Sequence, residues 1–150
     1  VDSRDEEFPG DHAFNGIMAS PIIAGDKIIF AGGAFEHMAP LKPGYECCSG
    51  RGFVIALDPR SGKILWKYDR GPEPIEHDQP LTIKPPCGTQ TFYYGPSTSS
   101  VWSTPSFDSE TQTIFFGTDV HNSPRQPSQE DSRNYTPHSA AVIALDAETG

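Results

Sequence analysis

Five residues occur twice in the same order in this chain, as Val54-Ile55-Ala56-Leu57-Asp58 and as Val142-Ile143-Ala144-Leu145-Asp146, and each run passes into a turn ending on glycine, Gly62 or Gly150. A β-rich pentapeptide that returns with its own turn marks one supersecondary unit used more than once. The two units can be overlaid further upstream. Ser20-Pro21-Ile22-Ile23-Ala24-Gly25-Asp26-Lys27-Ile28-Ile29-Phe30 reads as strand, tight turn and strand; Thr104-Pro105-Ser106-Phe107, a polar turn from Asp108 to Gln112, and Thr113-Ile114-Phe115-Phe116 read the same way. Every such run is short, rich in Ile, Val, Phe and Tyr, bounded by Gly, Pro, Asp or Ser, and none keeps a helical period.

The chain is therefore expected to be all-β, with one repeat unit over about 20–70, a connector over 71–98 and a second, incomplete unit over about 99–150. Opening on Val1 and stopping at Gly150, it reads as a fragment. A recurring four-strand unit is how a propeller blade appears in sequence, and blades need neighbours to cover their faces. A β-sandwich also has short strands and regular turns, but ranks lower because the pentapeptide recurs at the same place in each unit.

Polar insertions separate the strands. One runs from Phe35 to Arg51 and another from Val120 to Ser139, and both leave their unit at the same point, which predicts that they share one face of the domain. The connector, with Pro72, Pro74, Pro80, Pro85 and Pro86, is expected to be an irregular surface loop with extended stretches.

A net charge of −9 and a pI near 4.8 argue against a phosphate-binding surface, so nucleic acid is not an expected partner. No apolar run approaches the roughly 20 residues needed to cross a bilayer. Cys47 and Cys48 are adjacent and Cys87 stands apart. An adjacent pair closes into a small disulfide ring only in an oxidising compartment such as the periplasm; the dipeptide alone reads more simply as two free thiols in a loop. His77, His121 and His138 lack zinc-type spacing and read as solvated loop residues. No phosphate cradle or nucleophile elbow is present.

The run Val54-Ile55-Ala56-Leu57-Asp58-x-x-x-Gly62-Lys63-Ile64-Leu65-Trp66 resembles the tryptophan-docking repeat of pyrroloquinoline quinone propellers. More specific are Cys47-Cys48-Ser49-Gly50-Arg51-Gly52 and Gly95-Pro96-Ser97-x-x-x-Val101-Trp102-Ser103-Thr104-Pro105, followed by Phe116-Gly117-Thr118. In this order they resemble the quinoprotein alcohol dehydrogenases, most closely in pattern the polyvinyl-alcohol dehydrogenase group. The resemblance implies an eight-bladed β-propeller of which this chain supplies about two blades. It also implies oxidation of an alcohol with pyrroloquinoline quinone and calcium, electron delivery to a cytochrome c or similar acceptor, and a periplasmic or secreted location.

Residue by residue, the resemblance makes Trp102 one wall of the quinone site, where an indole stacks on a planar cofactor, and leaves Trp66 as a packing residue between blades. Glu36 matches a calcium ligand, the alternative being a solvated loop carboxylate. The family's second calcium ligand, an asparagine, falls here on Val120, which binds no metal; Asp119 or Asn122 would have to replace it. Cys47-Cys48 resembles the vicinal disulfide that forms the opposite wall, although it lies in the same insertion as Glu36. Ser100 and Arg51 match polar positions along the cofactor's acidic edge. The family's aspartate base lies downstream, so no catalytic residue is expected in this chain.

Two other classes share the repeat. A non-catalytic propeller scaffold of the outer-membrane assembly type would need no convergence of Trp102, Glu36 and Cys47-Cys48. A carbohydrate-binding propeller would use Phe92, Tyr93 and Tyr94, which read more simply as one strand packing two faces.

Overall fold

The computed structural model describes residues 15–36, 45–83, 89–95, 101–119, 138 and 140–150, and they form ten strands and no α-helix. The first sheet contains β1 (Asn15–Ile17), β2 (Ile22–Ala24), β3 (Lys27–Ala34), β4 (Phe53–Leu57) and β5 (Ile64–Asp69). Both β1 and β2 pair antiparallel with β3, β2 along its start and β1 along its end, and β4 and β5 continue the meander. Counting β1 and β2 as one interrupted edge, this is the four-stranded sheet of a propeller blade.

The connector is not wholly irregular. It folds into a hairpin of β6 (Ile75–Ile83) and β7 (Gln90–Gly95). Its register breaks between Glu76 and Leu81, the stretch that contains Pro80; a proline has no N–H to give to a ladder and is tolerated at such a break. His77, expected in a solvated loop, lies on β6 and is buried. The second sheet has the order β10-β9-β8, from β8 (Ser106–Asp108), β9 (Thr113–Gly117) and β10 (Val142–Asp146).

Strand alternation places the core. Ile29 and Ala31 of β3 and Val54 and Ala56 of β4 share one face, and that face packs on Ile114 and Phe116 of β9 and Leu145 of β10. The opposite face of the first sheet gathers Phe53, Ile55 and Leu57 with Ile28, Phe30 and Ile64. The two pentapeptides thus form β4 and β10, but β4 is buried on both faces while Val142 of β10 is 76% exposed.

Three aspartates close the turns that follow the strands. Asp58 Oδ1 accepts the N–H groups of Arg60 and Ser61, Asp146 Oδ1 those of Glu148 and Thr149, and Asp108 Oδ1 that of Glu110. These donors hold the Asp58 and Asp146 carboxyls below their ordinary pKa, and at Asp108 the Thr111 hydroxyl, with the Glu110 N–H, does the same. Trp66 of β5 then docks on the turn after β10. Its indole N–H donates to the Ala147 carbonyl at 3.1 Å, and the ring covers Gly150, where a Cβ would lie 2.9 Å from a ring carbon. Glycine is needed there both for this approach and for its φ of 88°. Tyr68 meets Phe116 edge-on at 5.9 Å across the same seam, and Lys27 reaches over it to Glu148 at 2.6 Å.

Candidate functional site

The strands β3 and β9 finish at the same end of the two sheets, and the segment ahead of β8 is fastened there by the Val101 N–H, which donates to the Gly32 carbonyl of β3 at 3.2 Å. That bond delivers Trp102 to the end of β3, where its ring meets Phe35 at 5.7 Å with the planes 78° apart. Trp102 remains 46% exposed. It lines a cleft of about 310 Å³ with Ser103, Gly117, Thr118 and Asp119. The Ser103 hydroxyl accepts the Gly117 N–H at 3.1 Å, tying the two walls together.

The insertion after β9 is closed at its neck. Thr118 N–H donates to the Ala141 carbonyl at 2.8 Å, Ala141 N–H donates to the Thr118 hydroxyl at 3.0 Å, and Ala140 N–H donates to the Asp119 carbonyl at 3.3 Å. The same carbonyl accepts a guanidinium N–H from Arg70, which is fully buried and anchors its own backbone N–H on the Gly52 carbonyl at 2.7 Å. Burial pulls the Arg70 pKa down while Asp119 opposes it; arginine nonetheless stays charged because its ordinary pKa is so high. Arg70 therefore places a fixed positive charge behind the cleft.

Glu36, at the end of β3, has no accessible surface. Its Oε1 accepts the Tyr45 hydroxyl at 2.7 Å and the Ser49 N–H at 3.1 Å, and its Oε2 accepts the Gly50 N–H. A Cβ on Gly50 would collide with that of Ala34 and lie 2.7 Å from Oε2, so only glycine lets the loop backbone close on the carboxylate. Burial, then the bond to Glu36, pushes the Tyr45 hydroxyl well above its ordinary pKa, keeping it a donor.

Cys47 and Cys48 form a vicinal disulfide across a cis peptide, not two free thiols, and both are fully buried. The hairpin supplies the cover. Phe92, Leu81 and Tyr45 pack on the pair; Tyr93 and Tyr94 donate their N–H groups to the Cys47 carbonyl, the latter at 3.1 Å. Phe92 is buried and Tyr93 and Tyr94 are half-buried, in keeping with a packed strand.

The site residues expected from sequence thus fall into two groups. Trp102 and Asp119 share the cleft, while Glu36 and the disulfide lie together, their ligand-type atoms within 4.8 Å of one another. Arg51 belongs to neither: it faces Asp69 at 3.4 Å, and Lys67 meets the other oxygen of that carboxylate at 2.7 Å. Ser100 and Asn122 lie outside the described residues, as do Val120, Cys87 and His121. Phe35, Tyr45 and Arg70 were not anticipated; a charged side chain closing a strand, as at Arg70, was the only available signal, and it is a weak one.

The exposed indole beside a cleft suits a planar ring, which needs a rigid apolar face. Calcium is a poorer fit. The ion takes six to eight hard oxygen ligands, but Glu36 is enclosed and already accepts three hydrogen bonds, and among the described His, Cys, Asp and Glu side chains those grouped with it are the disulfide sulfurs. The described residues do not assemble a calcium site.

Comparison with known proteins agrees with this architecture. Residues 1–150 match the family described as "PQQ: Glucose/ethanol/alcohol dehydrogenase, beta-propeller domain". The polyvinylalcohol dehydrogenase of Sphingopyxis sp. (strain 113P3) is 36% identical over 113 residues, covering 72% of this chain and 14% of that protein. Lupanine 17-hydroxylase [cytochrome c] of Pseudomonas sp. is 29% identical over 140 residues, covering 89% of this chain and 18% of the relative. The crystal structure of quinohemoprotein alcohol dehydrogenase from Comamonas testosteroni superposes with a TM-score of 0.55 at 18% identity, over 91% of this chain and 19% of that one, a likeness of fold. The chain thus spans less than a fifth of the length of these relatives. With two sheets joined through a docked tryptophan and a match along its whole length, the chain belongs to the β-propeller family of the pyrroloquinoline quinone-dependent glucose, ethanol and alcohol dehydrogenases.

Proposed function

We propose that the full-length protein oxidises an alcohol, in the first instance a secondary alcohol such as polyvinyl alcohol, to its carbonyl, using pyrroloquinoline quinone bound against Trp102. The observation that carries this reading is the indole left 46% exposed in a cleft at the strand ends of a quinoprotein propeller. When bound, the quinone accepts two electrons and two protons from the alcohol, which becomes an aldehyde or ketone.

The residues of this chain do the holding. Trp102 offers the flat apolar wall, and Phe35 sets the tilt of the indole by its edge contact. Ser103 and Gly117 fix the wall relative to β9. Arg70, through Asp119, stiffens the cleft floor and makes it less negative, which favours a cofactor carrying carboxylates. Cys47-Cys48 serves the site as a buried rigid element beneath the hairpin.

Electron delivery to a cytochrome c is proposed from the relative whose name includes that acceptor. A periplasmic or secreted location is proposed from the vicinal disulfide, which persists in an oxidising compartment. The test supplies the full-length protein with pyrroloquinoline quinone, a series of primary, secondary and polymeric alcohols, and an artificial electron acceptor. Acceptor reduction that needs both quinone and a secondary alcohol is expected; failure to bind the quinone at all would overturn the assignment.

A further inference from the structure

We propose that Glu36 is a positioning residue that clamps the vicinal disulfide loop, in place of the calcium-ligand role that its sequence position suggests. The proposal rests on the quinone reading for its functional meaning, because the clamped loop would be part of the cofactor site. Its structural content stands on the hydrogen bonds alone.

The clamp has two jaws. On one side the Glu36 carboxylate gathers the Tyr45 hydroxyl and the Ser49 and Gly50 N–H groups, donors that lie immediately before and after Cys47-Cys48 in the chain. On the other, β7 presents the Tyr93 and Tyr94 N–H groups to the Cys47 carbonyl, and Phe92 covers the sulfurs. The Glu36 carbonyl also lies 3.9 Å from Cys47 Sγ, so main chain and side chain of one residue both face the disulfide. A carboxylate is an acceptor at every lone pair and matches three converging donors; an amide of the same shape turns an N–H toward one of them. The sequence Cys47-Cys48-Ser49-Gly50 thereby acquires a physical reason for its glycine, since any Cβ there strikes Ala34 and Oε2. Charge-assisted hydrogen bonds are the strong class, and three of them, two from backbone N–H groups and one from the Tyr45 hydroxyl, hold the disulfide loop in place.

The experiment measures the rate at which dithiothreitol reduces Cys47-Cys48 in quinone-free full-length protein, by alkylating released thiols and quantifying the peptide by mass. In Glu36→Gln the rate is expected to rise about tenfold at an unchanged melting temperature, and in Tyr45→Phe about threefold, each factor of ten corresponding to about 1.4 kcal/mol of lost hydrogen bonding. An unchanged rate in folded Glu36→Gln overturns the clamp, and so does a raised calcium requirement for quinone binding without any change in disulfide reactivity. If Glu36→Gln does not fold, Tyr45→Phe decides: reduction at the wild-type rate overturns the proposal. Faster reduction in a protein that binds no quinone would uphold the clamp while removing the quinone reading.

Discussion

Trp66 and Trp102 have the same side chain and opposite situations. Trp66 sits in the seam between the sheets with its ring against Gly150 and its N–H on the Ala147 carbonyl, so both its apolar face and its polar handle are used by the fold. Trp102 meets Phe35 in an edge-to-face pair and leaves nearly half of its surface open beside the cleft. A tryptophan whose face and N–H are both taken up is a packing residue; one left nearly half exposed beside a cleft has surface free to receive something flat. The seam is crossed by Lys27, which meets Glu148, and the cleft end by Arg70, whose guanidinium donates to the Asp119 carbonyl.

The comparison breaks most visibly at the seam. Trp66→Ala removes a half-buried indole and its hydrogen bond and opens a cavity between the sheets, at a cost of about 2–4 kcal/mol. The full-length protein should melt several degrees lower, and an unshifted Tm would mean that the seam does not depend on this residue. The turns on which the seam rests make a smaller, pH-dependent contribution. The depressed pKa of Asp146 makes its stabilisation fully present above the unfolded carboxyl value of about 3.9 and lost as pH falls through the lower folded value. Asp146→Asn keeps the acceptor oxygen and loses the charge, so it should lower Tm slightly at pH 7 and converge with wild type as pH falls through the folded value. A Tm difference that persists at low pH would mean that the charge is not the source. Asp58 has the same turn in the first sheet and should behave alike, with a weaker effect on the seam because Trp66 docks on the turn at Asp146.

What the sequence revealed was what is local. The pentapeptide strands and their turns are specified by β-branched residues and by an aspartate bonding to N–H groups two and three residues on, so both sheets were legible. Trp66 and Trp102 were separable because one follows the repeated turn and the other a Gly-Pro-Ser loop. The hairpin β6–β7 was hidden by its prolines, since a register break tolerates Pro80 only once a partner strand is known. The disulfide was legible only through the resemblance, because a Cys-Cys dipeptide by itself carries no sign of the cover that Phe92 brings from a distant strand. Glu36 illustrates how a resemblance and a structure divide. The match in position pointed to a metal ligand, but the three donors on the carboxylate come from a loop nine to fourteen residues away, and their convergence exists only in three dimensions.

The quinone reading rests on Trp102, the half-exposed indole beside the cleft. Its most direct test is an equilibrium titration of pyrroloquinoline quinone into full-length Trp102→Ala, beside wild type and folded Trp66→Ala. Loss of one aromatic stacking face is expected to weaken quinone binding by about 30-fold in Trp102→Ala, on the scale of 2 kcal/mol, while Trp66→Ala keeps the wild-type affinity. Wild-type affinity in Trp102→Ala would contradict the account.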